Sequence, residues 1–139
     1  MICYHRTPFP QAILDNGFED RRGTYLTTET LEGVWVSDVP LDCNEGAEGL
    51  TVLSVEVPEE LLIPHEWVEK GKPYREFLVP AATLNTYGPP VIYDDDWKGC
   101  SRKQMLHMIS VMEEKGLEKK ARTTRDHLPF LDRHGLLEE

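Results

Sequence analysis

At 139 residues, 40% of them hydrophobic, the chain has the size of one domain and enough apolar material to build a core. A formal net charge of -10, with 25 acidic against 15 basic residues and no basic run, repels phosphate backbones and anionic lipid heads, so nucleic acid and membrane surfaces are disfavoured as partners. No stretch approaches the roughly 20 apolar residues of a membrane span and no signal-peptide pattern is present, so the expectation is a cytoplasmic protein. Cys3, Cys43 and Cys100 are odd in number, widely spaced and without a CxxC pair, which reads as three reduced thiols.

In chain order, "ICYHR" (2–6) reads as a strand. "PFPQAILDNGF" follows as a short helix, with Pro10 at its start, Ala12, Ile13 and Leu14 as its apolar patch and Gly17 at its end. "GVWVSD" (33–38) is a β-rich run entered through a glycine. "TVLSVEV" (51–57) alternates, placing Leu53, Val55 and Val57 on one face and Ser54 and Glu56 on the other. Between these two runs, "PLDCNEGAEG" is acidic and reads as an exposed loop.

"PEELL" (58–62) has room for one or two helical turns, with acids at the positive end of the helix dipole, after which "HEWVEKGKP" turns the chain. "YREFLVP" (74–80) predicts a strand with Tyr74, Glu76 and Leu78 on one face and Arg75, Phe77 and Val79 on the other, and "PVIY" (90–93) a further one. Ser101 caps a helix whose Met105, Leu106, Met108, Ile109 and Met112 recur at helical spacing up to Gly116. That methionine-rich face serves as core, as a homodimer seam or as a peptide-binding surface. In the last segment (123–137), Pro129 limits any helix to starting near it or bending at it.

Three residues carry chemical interest. A histidine in a strand, His5, is ordinarily a core or rim residue bonded to a carbonyl, and a tryptophan in a strand, Trp35, ordinarily packs in the core. Glu76 is harder to dismiss, because a carboxylate flanked by Phe77, Leu78 and Val79 costs several kcal/mol to bury unless it is paired or functional. The acids of "YDDDW" (93–97) with His107 are a weak metal candidate, since consecutive acids point apart and usually form a solvated turn. His127 and His134 read as surface residues.

"CYHRT", "GVWVSD" and "REFLVPAATL", in this order, resemble the three motifs of the ADP-ribosyltransferase superfamily, the fold of the poly-ADP-ribose polymerases and diphtheria-type toxins. The resemblance covers roughly residues 2–93 and implies an α+β domain with a small, split, curved β core over 1–95 and short helices; the residues that follow read as a helical extension over 96–139 packed on the same domain. It implies NAD as substrate, no metal, and transfer of ADP-ribose to an acceptor of unknown identity, a protein among the candidates, or to water.

Residue by residue, the resemblance implies that His5 bonds a ribose, Trp35 stacks on nicotinamide, and Glu76 holds the 2'-hydroxyl of the nicotinamide ribose. Arg6, Thr7 and Ser37 line the pocket, with Arg6 in a position to grip a pyrophosphate. Trp35 stands where tyrosine is usual, and Tyr74 stands where arginine-modifying members carry a second acid, so an arginine acceptor is not implied. A catalytically silent relative that binds a nucleotide-like ligand or a protein is the alternative. A less favoured one is an RNA 2'-phosphotransferase using Arg6, Arg21 and Arg22, which the acidic balance opposes.

Overall fold

The computed structural model describes residues 1–24, 30–42, 45 and 47–138. The protein is a mixed α+β chain that divides into two compact units, Met1–Asp94 and Asp95–Glu139. Among the described residues, the first unit is built on an open, seven-stranded antiparallel sheet. In chain order its strands are β1 (Ile2–Thr7), β2 (Arg21–Gly23), β3 (Leu31–Ser37), β4 (Thr51–Glu56), β5 (Glu66–Trp67), β6 (Glu76–Val79) and β7 (Val91–Asp95). They lie side by side as β5-β6-β3-β1-β4-β7, with β2 paired to β3.

Local chemistry accounts for most of these elements. Helix α1 (Pro10–Asn16) begins on a proline whose missing N–H costs nothing at that position, and it ends at Gly17, as the sequence predicts. The alternation of β4 is only half realised: Val52 is buried along with Leu53 and Val55, so the strand is covered on both faces. Helix α2 (Glu59–Leu62) keeps its acids in the first turn, with Pro58 as the preceding cap residue, and a 3-10 turn at Ile63–His65 leads into β5.

Three elements of this unit are absent from the sequence reading, the first being the three-residue strand β2, paired to β3. Strand β5 lies inside "HEWVEKGKP", and its two residues are too short for any periodicity. Helix α3 (Ala81–Tyr87) buries only Ala81 and Leu84 and is held by long-range side-chain bonds to the Phe18–Asp20 segment. Asp20 Oδ1 accepts from the Ala81 N–H at 2.7 Å. Asn85 accepts from the Phe18 N–H at 2.8 Å and donates to the Phe18 carbonyl at 3.0 Å. The core of the unit gathers Cys3, Val34, Val36, Val55, Phe77 and Leu84, and burial pushes the Cys3 thiol up to about 11.

The second unit is a helical pair, α4 (Arg102–Glu114) and α5 (Glu118–Arg133). Ser101 accepts from the Gln104 N–H while Gln104 accepts from the Ser101 N–H, a complete capping box. Of the five apolar positions predicted for the α4 face, Met105, Ile109 and Met112 are buried against Ala121 and Leu131, whereas Leu106 and Met108 are exposed.

Helix α5 begins at Glu118 and runs through Pro129, so of the two alternatives for that proline a helix starting near it is not realised. A proline inside a helix costs about 3 kcal/mol, and burial of the adjacent Phe130 and Leu131 offsets it. His127 and Asp95 are not surface groups: the side chain of Asp95 is 0% exposed and that of His127 9%, and they bond at 2.7 Å from Nε2 to Oδ2. No helix among the described residues is long and apolar enough to cross a membrane.

Candidate functional site

The strand pairing assembles the site. Tyr4 on β1 faces Ser37 on β3, Ser37 faces Glu76 on β6, and Glu76 faces Trp67 on β5, so one row of side chains crosses four strands. Trp35 and Arg6, each two residues along from members of this row, lie on the same face. Among the described residues the ladder between β1 and β3 is confined to Tyr4 and Ser37. Beyond it His5 takes over the role of a ladder bond, its Nδ1 donating to the Trp35 carbonyl at 2.8 Å.

A titratable ring thus sits inside a strand because it bridges two strands whose backbones no longer pair. The carbonyl can only accept, so Nδ1 carries the proton and Nε2 presents a lone pair. Burial depresses the affinity of His5 for a second proton; the hydrogen bond to Trp35 opposes this, and the positive charge of Arg21 adds to it. His5 is therefore a neutral ring with an acceptor nitrogen, and that nitrogen reaches solvent, since no buried side-chain polar atom lacks a partner.

Two adjoining cavities, of about 310 and 220 Å³, open along this row and share His5, Arg6, Trp35 and Glu48. Glu76, Ser37 and Tyr4 line the smaller, and Thr7, Phe9 and Arg21 the larger. All six residues that the sequence singles out therefore line one or both of these cavities, though not all offer a free group to them. Thr7 Oγ1 accepts from the Phe9 N–H at 2.9 Å, ending β1 in a local turn. Ser37 Oγ donates to the Val39 carbonyl at 2.6 Å.

Arg6 donates from Nε to the Leu41 carbonyl at 2.7 Å and from Nη1 to the Gly49 carbonyl at 3.1 Å. It thus braces both ends of the acidic loop whose Glu45 and Glu48 line the smaller cavity. Gly49 is required where that loop closes on β1. Its φ is +106°, and a Cβ there would stand 2.1 Å from the Thr7 carbonyl carbon. The expectation of a reduced thiol at Cys43 lies outside the described residues; Cys3 and Cys100 are free cysteines.

Glu76 is 8% exposed, and one of its oxygens, Oε2, accepts from Lys72 Nζ at 3.1 Å. No other described group bonds this carboxylate, so its second oxygen retains access to solvent, and the residue lines the smaller cavity. The backbone on both sides is fixed. Asp38 Oδ1 accepts from the Arg75 N–H at 2.9 Å while the Asp38 N–H donates to the Arg75 carbonyl at 3.1 Å, extending the register that sets Glu76 opposite Ser37. The Arg75 side chain holds Glu66 bidentately at 2.8 and 3.1 Å and Glu59 at 2.7 Å, which keeps Glu66 below the usual carboxylate range.

Trp35 is steadied by Trp67, whose ring meets it edge to face at 5.7 Å and 85°. Trp67, Lys72 and Glu48 belong to the site without any signal in the sequence that marks them. All three sit in short polar loops or beside them, where no spacing distinguishes them from solvated residues. No cluster among the described residues has the composition of a metal site. The cleft offers a neutral imidazole acceptor, a carboxylate oxygen and an indole, a set suited to sugar hydroxyls, an aromatic ring and developing positive charge. No protein-family model, curated protein or solved structure matches the chain.

Proposed function

We propose that the chain is an ADP-ribosyltransferase-type protein, with the split, curved β core of that fold, that binds NAD in this cleft and transfers ADP-ribose to an acceptor or to water. The observation that carries the reading is that His5, Trp35 and Glu76, drawn from β1, β3 and β6, line the same small cavity.

In the proposed reaction the bond between C1' of the ribose and the nicotinamide nitrogen breaks. Its electron pair leaves with nicotinamide, which becomes neutral. The oxocarbenium-like sugar is stabilised by the Glu76 carboxylate, a contribution worth several kcal/mol in a water-poor cleft. An acceptor oxygen or nitrogen, or water, then bonds C1' and releases its proton. His5 Nε2 accepts from a ribose hydroxyl, and Trp35 fixes the leaving ring by stacking. Arg6 and Thr7 shape the cleft through their bonds to the Leu41 and Gly49 carbonyls and to the Phe9 N–H.

The test is one-dimensional proton NMR of NAD incubated with the purified protein for hours. The reading predicts broadening of the nicotinamide and ribose signals, followed by free nicotinamide. Broadening without release would favour a binding protein of the same fold; neither would sink the NAD reading.

A further inference from the structure

We infer that Lys72 is a positioning residue that holds the Glu76 carboxylate in its working orientation, an inference that rests on the NAD reading above. Lys72 lies in the connection between β5 and β6, where Val68 is 82% exposed and Lys70 and Gly71 are also at the surface. A lysine in such a loop ordinarily extends into water. Here the chain reverses at Gly71, whose φ is +90°, and the Lys72 side chain folds inward until 16% of it remains exposed.

The ammonium is placed between two carboxylates, Glu69 at 3.2 Å and Glu76 at 3.1 Å, with the Tyr74 ring 5.5 Å away. Glu69 in turn accepts from Trp67 Nε1 at 2.7 Å, and Trp67 is the residue that steadies Trp35. A continuous chain of contacts therefore runs from Trp35 through Trp67, Glu69 and Lys72 to Glu76. Trp67 and Glu76 are also cross-strand partners, so both ends of the loop are fixed to the sheet.

Lys72 engages Oε2 alone and leaves the other carboxylate oxygen untied. A glutamate with one oxygen tied has lost most of its rotamer freedom, and the untied oxygen is left for a ribose hydroxyl. Ordering the carboxylate before the substrate arrives lowers the barrier of the chemical step and leaves ground-state affinity unchanged.

The experiment compares K72M, K72R and E69Q with the wild-type protein for nicotinamide release from NAD. K72M should lose on the order of 10- to 100-fold in kcat with KM for NAD little changed. K72R, which restores a cation, should recover most of the loss, and E69Q should fall between. Turnover of K72M equal to or above wild type would overturn the inference, as would equal losses in K72M and K72R.

A second arm does not depend on turnover: the ¹⁵N–¹H correlation of the Lys72 ammonium should move in E76Q and in E69Q. If the wild-type protein releases no nicotinamide, the NAD reading fails by itself. The Lys72 placement is then decided by this signal, and a resonance unmoved by E76Q overturns it.

Discussion

Two histidines, one in each unit, use the same ring in opposite ways. In the sheet unit His5 donates from Nδ1 to a neutral backbone carbonyl and keeps Nε2 as an acceptor facing a cleft. In the helical unit His127 donates from Nε2 to the fully buried Asp95 carboxylate and stacks on Phe130 at 5.2 Å. Asp95 is further held by the Trp97 N–H at 2.9 Å. A carbonyl partner leaves the ring neutral and available to a ligand. A carboxylate partner closes the pair on itself, and the pair then belongs to the packing of its unit.

If the comparison is right, the largest loss of stability comes from the closed pair. Replacing His127 by Ala leaves a buried carboxylate without its main partner, and unfolding monitored in denaturant should register a loss of about 3 kcal/mol. A change below about 1 kcal/mol would mean that Asp95 is well solvated and the contrast false.

The next effect falls on the open site. G49A forces a Cβ onto the Thr7 backbone in a conformation that side chains rarely adopt, and should cost more than about 2 kcal/mol while loosening the acidic loop braced by Arg6. Unchanged stability with unchanged NAD affinity would show that the loop does not need this closure.

The smallest effect sharpens the role of His5. Its proton affinity is depressed in the folded state below the ordinary value of 6.5, so the unfolded chain binds the proton more readily. The contribution of His5 to stability is present above that pH and fades as the pH falls below 6.5 toward the depressed folded value. Thermal midpoints measured from pH 7.5 to 5 should fall more steeply for the wild type than for H5Q. Parallel profiles would mean that the folded ring takes up its proton as readily as the unfolded chain does.

What the sequence reveals and conceals follows from the range of the interactions involved. Pro10 and Gly17, the β-rich run around Trp35, and the Ser101–Gln104 box are local signals, and each marks an element that the structure contains. Helix α3 depends on Asp20 and Asn85, contacts that span some sixty residues of chain, and α5 persists through Pro129 because of burial that no local propensity records. In the site, Glu76 stands out because a carboxylate among apolar neighbours demands a partner. The partner itself, Lys72, lies in a loop that looks solvated. Arg6 draws attention by its charge, and what its sequence position does not record is that its guanidinium bonds the Leu41 and Gly49 carbonyls.

The central claim is that the Glu76 carboxylate stabilises positive charge as the nicotinamide bond breaks. It is tested most directly by single-turnover nicotinamide release from NAD by the wild type and by E76Q, with NAD affinity measured on both. The account predicts a rate at least 100-fold lower in E76Q, about 3 kcal/mol of lost stabilisation, at nearly equal affinity. Release at the wild-type rate by E76Q would contradict it.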